Sequence, residues 1–152
     1  GKIKFIPGTF GSLATTIIHY YLFHTLNVSP NIILIGLIII LFYSFYAISS
    51  HIENSENKDP GEVIIDEFLG QSIPIYLYEI THGATKETSE TIVYYFLFFI
   101  LFRYFDIMKP FPVNFFDKNF KNSFGVIMDD ICAGFYVVLT LVCFMIIKSY
   151  IL

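Results

Sequence analysis

No lysine, arginine, aspartate or glutamate occurs between Phe5 and Ile52, and none between Ile131 and Ile147. Such runs exclude an ordinary globular surface, since a typical soluble chain is about a quarter charged. They suit helices of about 20 apolar residues that cross a bilayer. Basic residues are also scarce: 9 against 13 acidic ones in 152, a formal charge of −4. With no basic stripe, nucleic acid is not an expected partner. Cysteine is limited to Cys132 and Cys143, about three turns apart on one predicted helix and too distant for a disulfide. Zinc-type spacing of Cys and His is missing. What fills the chain instead is apolar, with 55% hydrophobic residues, 18 Phe and a mean hydropathy of +0.66.

The length sets a single domain over residues 1–152. The expected class is all-α, a polytopic membrane bundle of about four to five spanning or re-entrant helices. The first runs to about residue 26, and the others cover about 32–50, 63–80, 92–108 and 126–147. The first run reads as a retained span and not a signal peptide, because no small-residue cleavage pattern follows it.

Polar residues interrupt this apolar background at a few places. Pro7-Gly8-Thr9-Phe10-Gly11-Ser12 reads as a tight turn before the first helix, with Thr9 or Ser12 as its cap. A Gly-rich turn entering a helix also offers backbone N–H groups to an anion, which makes Thr9, Gly11 and Ser12 candidate phosphate contacts. His19 and His24, five apart, are poorly spaced for one face and read as hydrogen-bonded interior groups. His51 closes the second span at the water boundary. Asp66-Glu67 lie one turn inside the third apolar element, where a dipole-complementing role explains them poorly. Glu62, four residues before Asp66, can share its face. Gly70 and Pro74 are expected to loosen or kink this helix. Residues 81–90 form a polar loop with no motif.

Arg103, Asp106 and Lys109 come at spacings of three, along one helix face, and Pro110 and Pro112 then stop the helix. Residues 117–122 read as a basic amphipathic connector at the lipid surface. Asp129-Asp130 sit near the start of the last span, where Ala133 and Gly134 permit close helix packing. Ionisable groups this close to a bilayer are functional candidates by default.

Counted over five spans, one side of the membrane receives Lys2, Lys4, Lys58, Lys109, Lys118 and Lys121, and the other Lys86 and Lys148. The positive-inside rule makes the first side cytoplasmic. On that assignment all the polar motifs fall on the cytoplasmic face, as one site would require. Five carboxylates, Asp66, Glu67, Asp106, Asp129 and Asp130, beside Arg103 and Lys109 suit Mg²⁺ together with a phosphate. Arg103 and Lys109 would grip the phosphate, and the carboxylates would supply metal ligands and a base, interchangeable on sequence grounds. Asp130, Asp129, Asp106, Arg103 and Lys109 are accordingly the candidate catalytic set. The expected reaction is phosphomonoester hydrolysis, with an aspartyl-phosphate route as a second reading. A transporter or channel would spread its carboxylates through the depth of the spans, whereas here they gather at one end.

Pro7–Ala14, Asp66-Glu67-Phe68-Leu69-Gly70, Phe102–Pro112 and Gly125–Gly134 together resemble the phosphatidylglycerophosphatase A family, in order and over nearly the whole chain. Phe10 and Phe111 stand where relatives often carry Trp, and Asn122-Ser123 where a glycine pair is common. The resemblance implies a Mg²⁺-dependent enzyme of the bacterial inner membrane, with its site facing the cytoplasm. Its substrate would be the phospholipid phosphatidylglycerophosphate, converted to phosphatidylglycerol, and no obligate protein partner is expected.

Overall fold

The computed structural model describes residues 6–54, 64–82 and 88–151. Glu62 lies outside them, as do Lys2, Lys4, Lys58 and Lys86, and so do the side chains of His51 and Lys148. Among the described residues the regular structure is entirely helical. Helix α1 (Ile6–Tyr20) runs into a π-helical turn (Tyr21–Thr25). It is followed by α2 (Pro30–Asn54), α3 (Ile65–His82), α4 (Thr88–Met108), α5 (Val113–Asn119) and α6 (Ser123–Ile151).

The boundaries have local causes. Pro30 starts α2, where its fixed φ suits the first helical position, after Asn27 reverses the chain in the left-handed region (φ 51°). Helix α4 stops because Lys109 is left-handed (φ 43°) and donates its N–H to the Phe105 carbonyl at 2.9 Å, with Pro110 directly behind it. Asn122 caps α6, its Oδ1 accepting the Gly125 N–H at 3.1 Å.

Among the described residues, three helices are long and apolar enough to cross a membrane: Pro30–Ser50, Ser89–Met108 and Ser123–Ile147. On α2, Ile35, Ile39, Phe42 and Tyr46 form an outward stripe, each more than half exposed. Hydrocarbon is the solvent that tolerates such a face. The shorter, more polar α3 takes the centre. It shares its largest interface with α6 and also packs on α1, α2 and α4. An aromatic core of Tyr78, Tyr95, Phe98 and Phe102 with Ile75 and Val137 fills the space between α3, α4 and α6.

Two local expectations are corrected. Pro7–Ser12 is helix and not a turn, and the Ser12 hydroxyl donates to the Gly8 carbonyl (2.8 Å) within α1 instead of capping it. Its glycines serve close packing: a Cβ on Gly8 would lie 2.3 Å from Glu67 Oε1, and one on Gly11 2.3 Å from Ile64 Cγ2. Gly70 likewise does not loosen α3, and the helix continues through Pro74. A Cβ on Gly70 would meet the Asp130 carbonyl at 2.5 Å, and one on Gly134 the Gly70 carbonyl at 2.3 Å. At this level α3 and α6 touch backbone to backbone.

Candidate active site

The backbone contact between Gly70, Asp130 and Gly134 decides where the carboxylates meet. Asp66 and Glu67 occupy the first turn of α3, one turn before Gly70, and Asp129-Asp130 the second turn of α6. Asp66, Asp129 and Asp130 are all buried. Asp66 Oδ1 accepts the Glu67 backbone N–H at 3.0 Å, and the two carboxyl groups are close enough to feel each other's charge. Asp130 feels the charges of Asp66, Glu67, Asp106 and Asp129. All five carboxylates singled out from the sequence therefore lie at one end of the bundle, within electrostatic reach of one another.

The cations come from the end of α4. Arg103 Nη1 pairs with Asp106 Oδ2 at 2.7 Å and lies 3.5 Å from the Ser12 hydroxyl oxygen on α1. Glu67 completes this corner, since the space above Gly8 is filled by its Oε1 and by the Arg103 guanidinium. Lys109 Nζ reaches Asp129 Oδ2 at 3.0 Å and Asp117 Oδ1 at 2.7 Å. Burial works to lower the Lys109 pKa, but the Asp129 charge and the hydrogen bonds Lys109 donates to both carboxylates outweigh it and raise it above its ordinary value. The ammonium thus stays charged. Gly11 is buried against Ile64, and Thr9 is half-buried on the same helix.

Two cations face six carboxylates, Asp117 included, so acid outnumbers base in a largely buried site. Buried charge of that kind is costly unless it is paired or neutralised. Among the described residues, Glu67 Oε2 is buried and accepts no hydrogen bond, and Arg103 Nε donates none. Among the described residues no three acidic side chains already stand around one point as a ready metal cage. Asp106 and Asp129 are instead engaged by the chain's own Arg103 and Lys109. The all-oxygen donor set, the excess negative charge and the orphaned Glu67 oxygen together fit a hard divalent cation that retains part of its water shell.

Sequence reasoning missed Asp117. It belongs to the segment read as a lipid-surface connector, yet α5 turns its carboxylate back onto Lys109. A positively charged residue directly before two prolines is the signal that a partner across the turn was needed. His24 is hydrogen-bonded and part-buried, as expected, but its partner was not foreseen. The π-turn rotates it inward, so that its Nε2 meets Glu79 Oε1 at 3.0 Å, where Tyr95 also donates. This second polar cluster lies at the opposite end of the bundle.

An all-α bundle with lipid-facing helices and one end lined by carboxylates, arginine and lysine defines a membrane protein with an acid-rich, charged site. The family model for phosphatidylglycerophosphatase A matches residues 1–145. The chain belongs to that family of lipid phosphatases. It is 35% identical over 144 residues to "Phosphatidylglycerophosphatase A" of Haemophilus influenzae, covering 91% of this chain and 78% of the relative. The Escherichia coli protein of the same name is 27% identical over 135 residues, covering 88% and 71%. A Bacteroides thetaiotaomicron protein named "Putative phosphatidylinositol-3-phosphatase" is 34% identical over 138 residues, covering 90% and 81%. No solved structure matches.

Proposed function

We propose that this protein hydrolyses phosphatidylglycerophosphate to phosphatidylglycerol and inorganic phosphate, with Mg²⁺, at the cytoplasmic face of a bacterial inner membrane. The observation that supports it most is the gathering of Asp66, Glu67, Asp106, Asp129 and Asp130 around Arg103 and Lys109 in a chain of this family. A phosphomonoester brings the negative charge that Arg103 and Lys109 are placed to receive once they exchange Asp106 and Asp129 for it. The Arg103 fork then holds two phosphate oxygens and Lys109 contributes a compact charge. Bound Mg²⁺ would neutralise charge on the phosphate and make water more acidic. Asp66, Glu67, Asp129 and Asp130 are its candidate ligands, and a carboxylate freed from Lys109 or Arg103 is the candidate base. Water adds to phosphorus, the P–O bond to the glycerol breaks, and the alkoxide leaves with a proton.

The relative named for a phosphoinositide phosphatase makes the headgroup the point to test. Purified protein in detergent is offered phosphatidylglycerophosphate, phosphatidic acid and phosphatidylinositol 3-phosphate, with Mg²⁺ and then with EDTA. Metal-dependent release from the first alone is the expected result. Release from the inositol lipid alone would replace the substrate. Release from none, by folded protein, would reject the reading.

A further inference from the structure

An apolar groove of about 260 Å³ runs along the seam between α1 and α4. Leu13, Ile17 and Tyr20 form one wall and Tyr95, Phe96 and Phe99 the other, with Thr16 between them. Its upper end adjoins the candidate active site in two ways. Phe99 lies one turn from Arg103 on α4, and Thr16 lies directly beneath Ser12, donating its hydroxyl to the Ser12 carbonyl at 2.9 Å. Toward its lower end it is narrowed by Tyr20 and Tyr95, whose rings meet edge-on at 5.7 Å, with Ile92 lining it below them. Tyr95 is fixed there by its hydrogen bond to Glu79 at 3.0 Å. Ile17 and Phe96 leave the side open, both about 60% exposed. From Leu13 to Tyr20 the groove is about 10 Å long, against roughly 15 Å for the hydrocarbon depth of one leaflet.

We infer that this groove seats the upper part of one acyl chain of the phospholipid whose phosphate is held at Arg103. The inference rests on the lipid-phosphatase reading and extends it to the apolar half of the substrate. The continuity with Ser12 and Arg103 argues for a substrate chain over a boundary lipid. A chain in this seam emerges beside the Arg103 guanidinium, one turn above Phe99. Because bilayer hydrocarbon is as apolar as the groove, the groove orients more than it attracts. It fixes the lipid so that its phosphate arrives at Arg103, and misplacement by an ångström is costly to rate.

The test uses a phosphatidylglycerophosphate analogue carrying a photoreactive diazirine on its acyl chain, with the protein in vesicles. Labelling should fall on the α1 and α4 groove residues and be competed by unlabelled phosphatidylglycerophosphate but not by phosphatidylcholine. Labelling spread evenly over α2, α4 and α6, or competed equally by both lipids, would overturn the inference and show boundary lipid only. In parallel, Ile17→Trp and Phe99→Trp fill the groove from its two walls. Each should lower kcat/KM on the long-chain lipid by about tenfold while leaving hydrolysis of the chain-free headgroup, glycerophosphoglycerophosphate, within twofold. Equal losses on both substrates, or none on the lipid, would sink it. If wild-type protein hydrolyses neither substrate, the proposed function itself has failed, while the labelling pattern still reads the groove.

Discussion

Replacing Gly70 by alanine isolates the contact on which the acidic cluster depends. The new methyl would sit 2.5 Å from the Asp130 carbonyl oxygen and 2.7 Å from Phe102 Cε2, while ordinary contact begins at 3.4 Å. The first neighbour is backbone in mid-helix and cannot rotate away, so α3 and α6 must part by roughly 0.9 Å along that line. Overpacking of this kind costs about 1–3 kcal/mol. The chemical consequence is larger than the loss of stability. Asp66 and Glu67 move with α3 while Asp129 and Asp130 stay with α6, and a shift of about 1 Å between reacting groups lowers rate by up to about 10²-fold. Gly36→Ala provides the control, because no atom lies within 4 Å of its added Cβ. Phosphate release per folded molecule and thermal unfolding in the same detergent measure the two effects. Gly70→Ala should unfold at lower temperature and lose most of its activity, while Gly36→Ala should match the wild type in both. A Gly70→Ala protein with full activity would refute the claim that this backbone contact sets the spacing of the carboxylates.

Other outcomes follow from the same geometry. Asp130→Asn should lower phosphate release by about 10²-fold or more with the fold intact by circular dichroism. Magnesium should raise the unfolding temperature of the wild type, as any ligand of the native state does, and EDTA should remove both that rise and the activity; Asp130→Asn should show a much smaller rise. Arg103→Lys keeps the charge but loses the two-pronged grip, so KM for the phospholipid should increase about tenfold. Asp117→Asn removes one partner of Lys109 from a pair about a third exposed, so its stability cost should stay below about 1 kcal/mol. Its mark should be on pH dependence. Because the folded-state pKa of Lys109 is raised, its contribution is complete below the unfolded value of about 10.4 and is lost as pH climbs through the folded one. Asp117→Asn should therefore bring the alkaline loss of activity to lower pH and leave neutral pH unchanged.

Much of the site was legible because charge is so rare in this chain. Against an apolar background, Asp66-Glu67, Arg103/Asp106/Lys109 and Asp129-Asp130 stand out one by one, and the alternation of spans sends them to one face. What stayed hidden were relations between helices. Gly8, Gly11 and Gly70 look like turn or kink residues when read along the chain, because their function is to let a neighbouring helix approach, and that neighbour is remote in sequence. Asp117 was hidden for a related reason. Its partner Lys109 lies across a proline-containing reversal, so no helical spacing links the two. His19 and His24 are five apart, and only the π-turn, which sequence periodicity does not announce, brings His24 onto Glu79.

Every charged member of the cluster is within about two turns of a helix end: the start of α3 and α6, or the close of α4. In a bilayer those ends coincide with the plane of the lipid phosphates. On the proposed function, a phosphate there would meet Arg103 and Lys109 without its lipid leaving the leaflet, and the dephosphorylated product would drift away sideways. Turnover is then a two-dimensional process, governed by the mole fraction of substrate in the membrane surface and by lateral diffusion, and diluting the vesicles in water should leave the rate per enzyme unchanged.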